Sequence, residues 1–342
     1  MAIGKLFIGR KVRDIRQANG ATQAQFADMV GISTSYLNQI ENNQRPVSAS
    51  VLLALAVVLS FLVLAIGGVP KMLLPWEGAR AWLARHWIDP MVGGTWWGLN
   101  RLVYLLLHGP RRDVLVEGQL DRDRSWLLVC NHQGWSDIPL LLDVLDRRVP
   151  FLRFFLKKEL IWVPVIGVAC VLLDMPFMKR YSKEAIAANP ALKQRDLETT
   201  RRACAKYRLI PVTVVNFLEG TRFTEAKRAA RGSPYANLLR PKAAGLSFAL
   251  NAMGEQFAGV IDVTLCYAPS RYGPLKSFLR GEQNRLKARV RVLPLPPDLV
   301  HGDYQDDAAF RERFQAWVNE LWQAKDAELT RLKSEFAAAR AA

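Results

Sequence analysis

Residues 126–142 read WLLVCNHQGWSDIPLLL. The apolar run from Trp126 to Cys130 has the length and bounds of a buried strand, and it delivers Asn131 and His132 to its carboxyl end. Asp137 follows His132 by five positions, across a turn containing Gly134. At that spacing the carboxylate reaches back to one imidazole nitrogen and fixes its tautomer, leaving the other nitrogen to take a proton. No G-x-S-x-G nucleophile elbow accompanies the pair. A His–Asp pair without an enzyme nucleophile points to direct activation of a substrate hydroxyl. Cys130 sits beside His132, and its strand position argues against an acyl-cysteine intermediate. His86, His108 and His301 have no acid at triad or ligand spacing. They read as core or surface residues, Met175 and Met178 as core or tunnel lining, and no metal site is expected.

Outward from this stretch, strand-like and helical segments alternate from about residue 112 onward, as in an α/β domain. The chain closes over 301–342 with a charged amphipathic helix in which Phe310, Phe314, Trp317, Leu321 and Trp322 recur at helical spacing. At 342 residues there is room for about two domains. Half the residues are hydrophobic and 23% are charged, which excludes disordered and collagen-like classes. Lysine and arginine outnumber acids 47 to 31, and the net charge of +16 favours anionic partners: nucleic acid, acidic membrane or phosphorylated substrate. Cys130, Cys170, Cys204 and Cys266 show no paired spacing and read as reduced thiols of a cytoplasmic-side protein.

The N-H-x-x-x-x-D block of Asn131, His132 and Asp137 resembles that of the glycerolipid (1-acylglycerol-3-phosphate) acyltransferase family, and the wording is similar to its bacterial branch related to lysocardiolipin acyltransferases. Three further blocks carry the resemblance in order: KKELIWVPVIG at 157–167, MPFMKR with Phe177 and Arg180, and NFLEGTRF with Glu219, Gly220, Thr221 and Arg222. It spans about 57–330. The last family block corresponds to VIDVTLCY at 260–267, without the family's proline, which bears on substrate identity rather than reaction type. The resemblance implies an αβα layered domain over 110–342 and acyl transfer from acyl-CoA to a lysophospholipid hydroxyl. His132 would be the base and Asp137 its partner. Asn131, Arg180, Glu219, Gly220, Thr221 and Arg222 would bind substrate. Arg180 and Arg222 suit the acceptor phosphate, and Gly220 allows close backbone approach to it. Glu219 orients Arg222 or a glycerol hydroxyl, or forms an ion pair that positions the loop. Lys157 and Lys158 would meet coenzyme A phosphates or form a solvated face. Acyl-CoA is then a co-substrate, with no bound cofactor.

A second module precedes this one. Thr22 can cap a helix from Gln23 to Val30, Gly31 supplies a turn, and Ser33 caps a helix running through Asn42. Val12, Ile15, Ala27, Ile32, Leu37 and Ile40 supply a small core. TQAQFADMVGISTSYLNQIENNQRP resembles the phage-repressor (Cro-like) helix-turn-helix family over about 8–57. That resemblance implies a small all-α domain at 1–56 and double-stranded DNA as a partner. Thr34, Ser35 and Asn38 would face base edges, with Gln23 and Arg45 on phosphates. The alternative for these residues is a solvated helix face.

Between the modules, residues 47–109 are apolar and tryptophan-rich. Val47–Val69 is uncharged and, at roughly 1.5 Å per residue, long enough as a helix for a bilayer core of about 30 Å. A membrane-embedded helix is expected, with Gly67, Gly68 and Pro70 as the bend of a re-entrant pair. Half of the ten tryptophans fall between Trp76 and Trp97, beside Arg80, Arg85 and Arg101, as at a water–lipid interface. The expected location is the cytoplasmic membrane, with the active site facing the cytoplasm. Three functions remain open: a membrane acyltransferase with an appended helix-turn-helix, a membrane-tethered regulator that uses the second module as a lipid or acyl-CoA sensor, and an artificial joining in which 1–56 has no role.

Overall fold

The structure is a computed structural model and describes residues 9–44, 66–103, 112–178, 204–269 and 286–341, with 62, 64 and 198; within those stretches 19, 30–32, 135, 146, 164, 165, 176 and 305 are excepted. Helices α1 (Gly9–Ala18), α2 (Gln23–Met29) and α3 (Thr34–Glu41) form the N-terminal unit. Thr22 Oγ1 accepts the Gln25 N–H at 3.2 Å while Gln25 Oε1 accepts the Thr22 N–H at 2.9 Å, a reciprocal cap for α2. Ser33 caps α3 by accepting the Tyr36 N–H at 3.2 Å. Val12, Ala27, Leu37 and Ile40 are buried as expected, joined by Phe26. Glu41 is also buried; it accepts Arg16 at 2.7 and 3.1 Å and Gln23 at 2.8 Å. The Arg16 guanidinium holds the Glu41 carboxyl below its ordinary range despite burial.

Most of Val47–Val69 lies outside the described residues. Among the described residues no helix is long and apolar enough to cross a membrane. Residues 66–73 are helical, 74–76 are not, and α4 (Glu77–Leu83) continues through a π turn at Ala84–Ile88 into α5 (Asp89–Val103). The bend therefore lies at Leu74, Pro75 and Trp76, not at Gly67, Gly68 and Pro70. Pro75 drives the residue before it out of the helical region. The two glycines serve close packing instead: a Cβ on Gly67 would stand 2.3 Å from the Trp87 ring, and one on Gly68 3.0 Å from Leu172. Leu64, Ile88 and Val92 pack with Leu172, Leu173 and Met175, so this helical pair is seated on the α/β domain. Arg153, fully buried, reaches both Asp89 oxygens at 3.1 and 2.9 Å, and Lys71 reaches Asp174 at 2.6 Å. A buried guanidinium tolerates such a site only when paired in this way.

The α/β domain is built on a six-stranded sheet in the order β1-β8-β7-β2-β6-β3. Its strands are β1 (Arg112–Glu117), β2 (Ser125–Cys130), β3 (Leu152–Phe154), β6 (Thr213–Phe217), β7 (Phe257–Tyr267) and β8 (Leu286–Leu293), while β4 (Leu156–Lys157) and β5 (Phe177–Met178) pair separately. All neighbours run parallel except β7 and β8. Strand alternation sorts the apolar residues into two layers. Leu127, Val129, Val260 and Cys266 face the long helix Ala308–Ala341, through Phe314, Val318 and Trp322. Leu128, Cys130, Ile261, Val263 and Leu265 face the helix Asp137–Leu145. Both faces of the sheet are covered, so β2 reads as a continuous apolar run rather than an alternating one. The αβα layering expected from the sequence is observed.

One charged cluster lies inside this core. Lys325 and Asp262 are both fully buried and stand 2.5 Å apart; Lys325 also donates to the Val263 carbonyl at 2.6 Å, and Arg291 reaches Asp262 at 2.5 Å. Lys325 falls on the same helical stripe as Leu321, Trp322, Leu329 and Leu332, where periodicity alone demands an apolar residue.

Candidate active site

β2, β6 and β7 are mutually parallel, so Cys130, Phe217 and Tyr267 end at one edge of the sheet, the carboxyl edge where open α/β sheets form their sites. The chain leaving β2 turns there through His132 to Gly134 and enters the next helix at Asp137. His132 Nδ1 stands 2.8 Å from Asp137 Oδ2. The same oxygen accepts the Gln133 N–H at 2.6 Å and the Gly134 N–H at 2.9 Å. An oxygen that already accepts two main-chain N–H groups acts as an acceptor toward the imidazole as well, so Nδ1–H donates and Nε2 keeps its lone pair. Asp137 is fully buried, whereas the His132 side chain is 19% exposed, which leaves the basic nitrogen open to a substrate. The imidazole lies stacked on Phe217 with ring centroids 4.2 Å apart.

The chain leaving β6 supplies the other half. Glu219 is fully buried and bridges two main-chain donors: His132 N–H at 2.8 Å on Oε1 and Leu239 N–H at 3.0 Å on Oε2. The His132 carbonyl accepts the Phe223 N–H at 2.7 Å. The 219–223 loop thus grips both main-chain groups of His132. Burial pushes the Glu219 carboxyl up to about 7, against the pull of its two backbone donors. Gly220 takes φ +64°, a left-handed conformation that a side chain resists. Lys227 donates to Thr221 Oγ1 and to the Arg222 carbonyl, both at 3.0 Å, tying down the loop from the short helix Glu225–Ala230. Arg222 is exposed beside it.

These contacts revise the roles expected from the sequence. Both polar atoms of the Asn131 amide are used on the Leu265 main chain, donating at 2.9 Å and accepting at 2.9 Å. At 1% exposure Asn131 positions the turn and does not meet substrate. Glu219 likewise touches neither Arg222 nor the open side of the site; it brackets His132. Thr221 has its hydroxyl engaged by Lys227 but remains at the loop surface, as do Gly220 and Arg222. Arg180 and the side chains of Lys157, Lys158 and Met178 lie outside the described residues.

The thiols are not poised for chemistry. Burial pushes Cys130 well up, and Cys266 up to about 11. Cys130, Cys204 and Cys266 are buried thiols, while Cys170 is half-buried. Among the described histidines, His86 stacks on Trp82, and His301 makes an exposed pair with Glu255 at 3.1 Å. Among the described residues no cluster of metal-ligating side chains occurs.

In the N-terminal unit, Thr34 and Ser35 stand exposed at the start of α3. Gln23 donates to Glu41 and, at 3.3 Å, to Asn38, so this pair is coupled across α2 and α3. Arg45 lies outside the described residues. Sequence reasoning missed three contributors: Tyr267, whose phenol donates to Asp137 Oδ1; Lys227; and Trp322, whose indole donates at 2.8 Å to the Leu239 carbonyl behind Glu219. The signal for Tyr267 was its place at the end of VIDVTLCY, the last residue of β7, four positions beyond the partner of Cys130.

Comparison with known proteins matches both modules. The family model described as Acyltransferase matches residues 113–268, and the one described as Helix-turn-helix matches residues 12–60. The 1-acyl-sn-glycerol-3-phosphate acyltransferase gamma of Homo sapiens is 30% identical over 182 residues, covering 50% of this chain and 43% of that one. The propionyl-CoA carboxylase regulator of Cereibacter sphaeroides is 58% identical over 52 residues, 15% of this chain and 11% of that one. The chain thus spans less than half the length of either relative. The crystal structure of the 1-acyl-sn-glycerophosphate acyltransferase PlsC from Thermotoga maritima aligns at TM-score 0.41 and 18% identity, covering 82% of this chain and 98% of that one.

Proposed function

We propose that the chain is an acyl-CoA-dependent lysophospholipid acyltransferase. The observation that carries this reading is His132, held by Asp137 through Nδ1 and open at Nε2, beside the loop of Gly220, Thr221 and Arg222. In this reading Nε2 takes the proton of the acceptor hydroxyl as its oxygen attacks the thioester carbonyl. The C–S bond breaks, and the sulfur leaves with the proton from His132, giving an ester and free coenzyme A. Arg222, a fixed cation with forked donors, binds the acceptor phosphate together with Arg180. The acceptor and the acyl chain arrive from lipid. Leu73, Trp76 and Trp162 are 79%, 70% and 84% exposed, and apolar groups so presented favour an interface. The helical pair at 66–103 accordingly rests in the cytoplasmic leaflet, where acyl-CoA is available.

The test is thiol release from acyl-CoA with a panel of lysophospholipid acceptors. Release that depends on acceptor, and that falls by roughly 10²–10⁴-fold in His132→Ala, is the expected result. Acceptor-dependent release by the variant at the wild-type rate refutes His132 as base.

A second activity is supported by Thr34 and Ser35 standing exposed at the start of α3, with the recognition helix braced by Gln23 and Glu41. In this reading the N-terminal unit binds double-stranded DNA in the major groove. Loss of specific but not salt-sensitive binding in Ser35→Ala, measured by gel shift, is expected. A regulator that used the second module only as a sensor has no need for a base oriented as His132 is.

A further inference from the structure

We infer that Tyr267 is a positioning residue for the His132–Asp137 pair: its phenol orients the carboxylate that orients the base. The inference rests on the acyl-transfer reading above. Asp137 has two oxygens in different situations. Oδ2 collects His132 Nδ1 and the main-chain N–H groups of Gln133 and Gly134, whereas Oδ1 receives the hydroxyl of Tyr267. The first three donors all belong to the turn that Asp137 itself closes. Partial rotation of the carboxylate about its Cβ–Cγ bond would draw Oδ2 out of line with all three donors and loosen the imidazole. A donor from outside the turn opposes that rotation, and Tyr267 supplies it from the last residue of β7, 130 positions along the chain. The position of that donor is itself fixed. β7 is bound to β2 through the Cys130–Val263 register, and Asn131 pairs both its amide groups with Leu265, two residues before Tyr267. Gln133 adds a bond to the same Leu265 carbonyl at 3.0 Å. The end of β7 and the His132 turn therefore move as one piece.

Tyr267 also tunes the pair. The phenol draws charge toward Oδ1 and so moderates the strength with which Oδ2 holds the imidazole N–H. Among the described residues, Glu219 meets the His132 main chain and Tyr267 meets the Asp137 carboxylate.

Tyr267→Phe keeps the ring and removes the donor. Kcat for acyl transfer is expected to fall about tenfold with both KM values unchanged, the low end of what a hydrogen bond to a charged group contributes. In Asp137→Asn the same substitution should cause no further loss, because the residue it acts through is already altered. The downfield proton resonance of the His132 Nδ1–H should move further downfield in Tyr267→Phe. It should move upfield when a fluorinated tyrosine, a stronger donor of the same shape, occupies position 267; this second arm remains decisive if the phenylalanine variant fails to fold. A wild-type kcat and an unmoved resonance, or equal losses in the presence and absence of the Asp137 carboxylate, overturn the inference. Absence of acceptor-dependent thiol release in the wild-type protein would instead refute the acyl-transfer reading, while the resonance shifts would still report on Tyr267.

Discussion

Glu219→Gln separates a residue that holds the loop from one that holds substrate. The carboxylate is fully buried and accepts one main-chain N–H on each oxygen, from His132 and from Leu239. A glutamine has one carbonyl oxygen, so one of these N–H groups must face an NH₂ group. A buried donor left without an acceptor costs about 1–3 kcal/mol. The substitution also removes a charge that the site holds at a cost. Burial raises the Glu219 pKa from 4.5 to about 7. For a carboxyl raised on folding, the native state binds the proton more tightly than the unfolded chain. Its stabilising contribution is complete below the unfolded pKa and is lost as pH rises through the folded one. Over that window the wild-type protein loses about 3 kcal/mol that the glutamine variant keeps. Chemical denaturation at pH 5 and pH 8 should therefore show Glu219→Gln clearly destabilised at the lower pH, with the gap closing or reversing at the higher. Kcat should fall because the His132 main chain loses a bracket, with acceptor KM unchanged. A stability difference independent of pH would refute the buried carboxyl. A raised acceptor KM at wild-type kcat would restore Glu219 as a substrate contact.

Three further outcomes are expected. Arg222→Ala should weaken acceptor use by about 1.5–3 kcal/mol, read as a raised acceptor KM, while acyl-CoA dependence stays the same; the reverse pattern would move Arg222 to the other substrate. Trp162→Ala combined with Trp76→Ala should lower co-sedimentation with lipid vesicles at high salt, because apolar insertion does not respond to charge screening; unchanged sedimentation would leave these side chains without a lipid role. Glu41→Ala should unfold the helix-turn-helix unit at lower denaturant, by about 1–3 kcal/mol, since it strands the half-buried Arg16 guanidinium. Glu41 titrates below its usual range, so its contribution is present above the unfolded pKa and should be lost as pH falls through the lowered one.

The parts of this molecule that sequence reading reached are those whose information is local. A five-residue apolar run, a turn of fixed length and a histidine five residues from an aspartate are written in consecutive positions. The His132–Asp137 contact follows from them, as do the caps on α2 and α3. The 34-residue closing helix was legible from its apolar stripe for the same reason. What escaped joins residues far apart. For Glu219 the sequence leaves open substrate contact or an ion pair that positions the loop; the fold places the main-chain N–H groups of Leu239 and His132 on its two oxygens. Asn131 was drawn to substrate by its neighbour His132, and only the β2–β7 pairing shows that its amide is spent on Leu265.

The same distinction explains the misplaced bend. Gly67 and Gly68 are conformationally free in isolation, so a local reading makes them a hinge. Packing decides otherwise: with Trp87 against one and Leu172 against the other, a missing Cβ is worth more as space than as freedom. The stop passes to Leu74, Pro75 and Trp76, where Pro75 and Trp76 are exposed and proline disfavours the helical region for Leu74. A helix that continues to residue 73 carries Lys71 inward to Asp174 and presents Val69, Met72 and Leu73 outward. One face is thereby fixed to the α/β domain by an ion pair and a small apolar core, and the opposite face is left apolar and exposed. A helix shaped only to complete the core would not need that second face. For an enzyme whose proposed substrates both reside in or beside a bilayer, that exposed face is the surface proposed to hold the His132 edge near lipid.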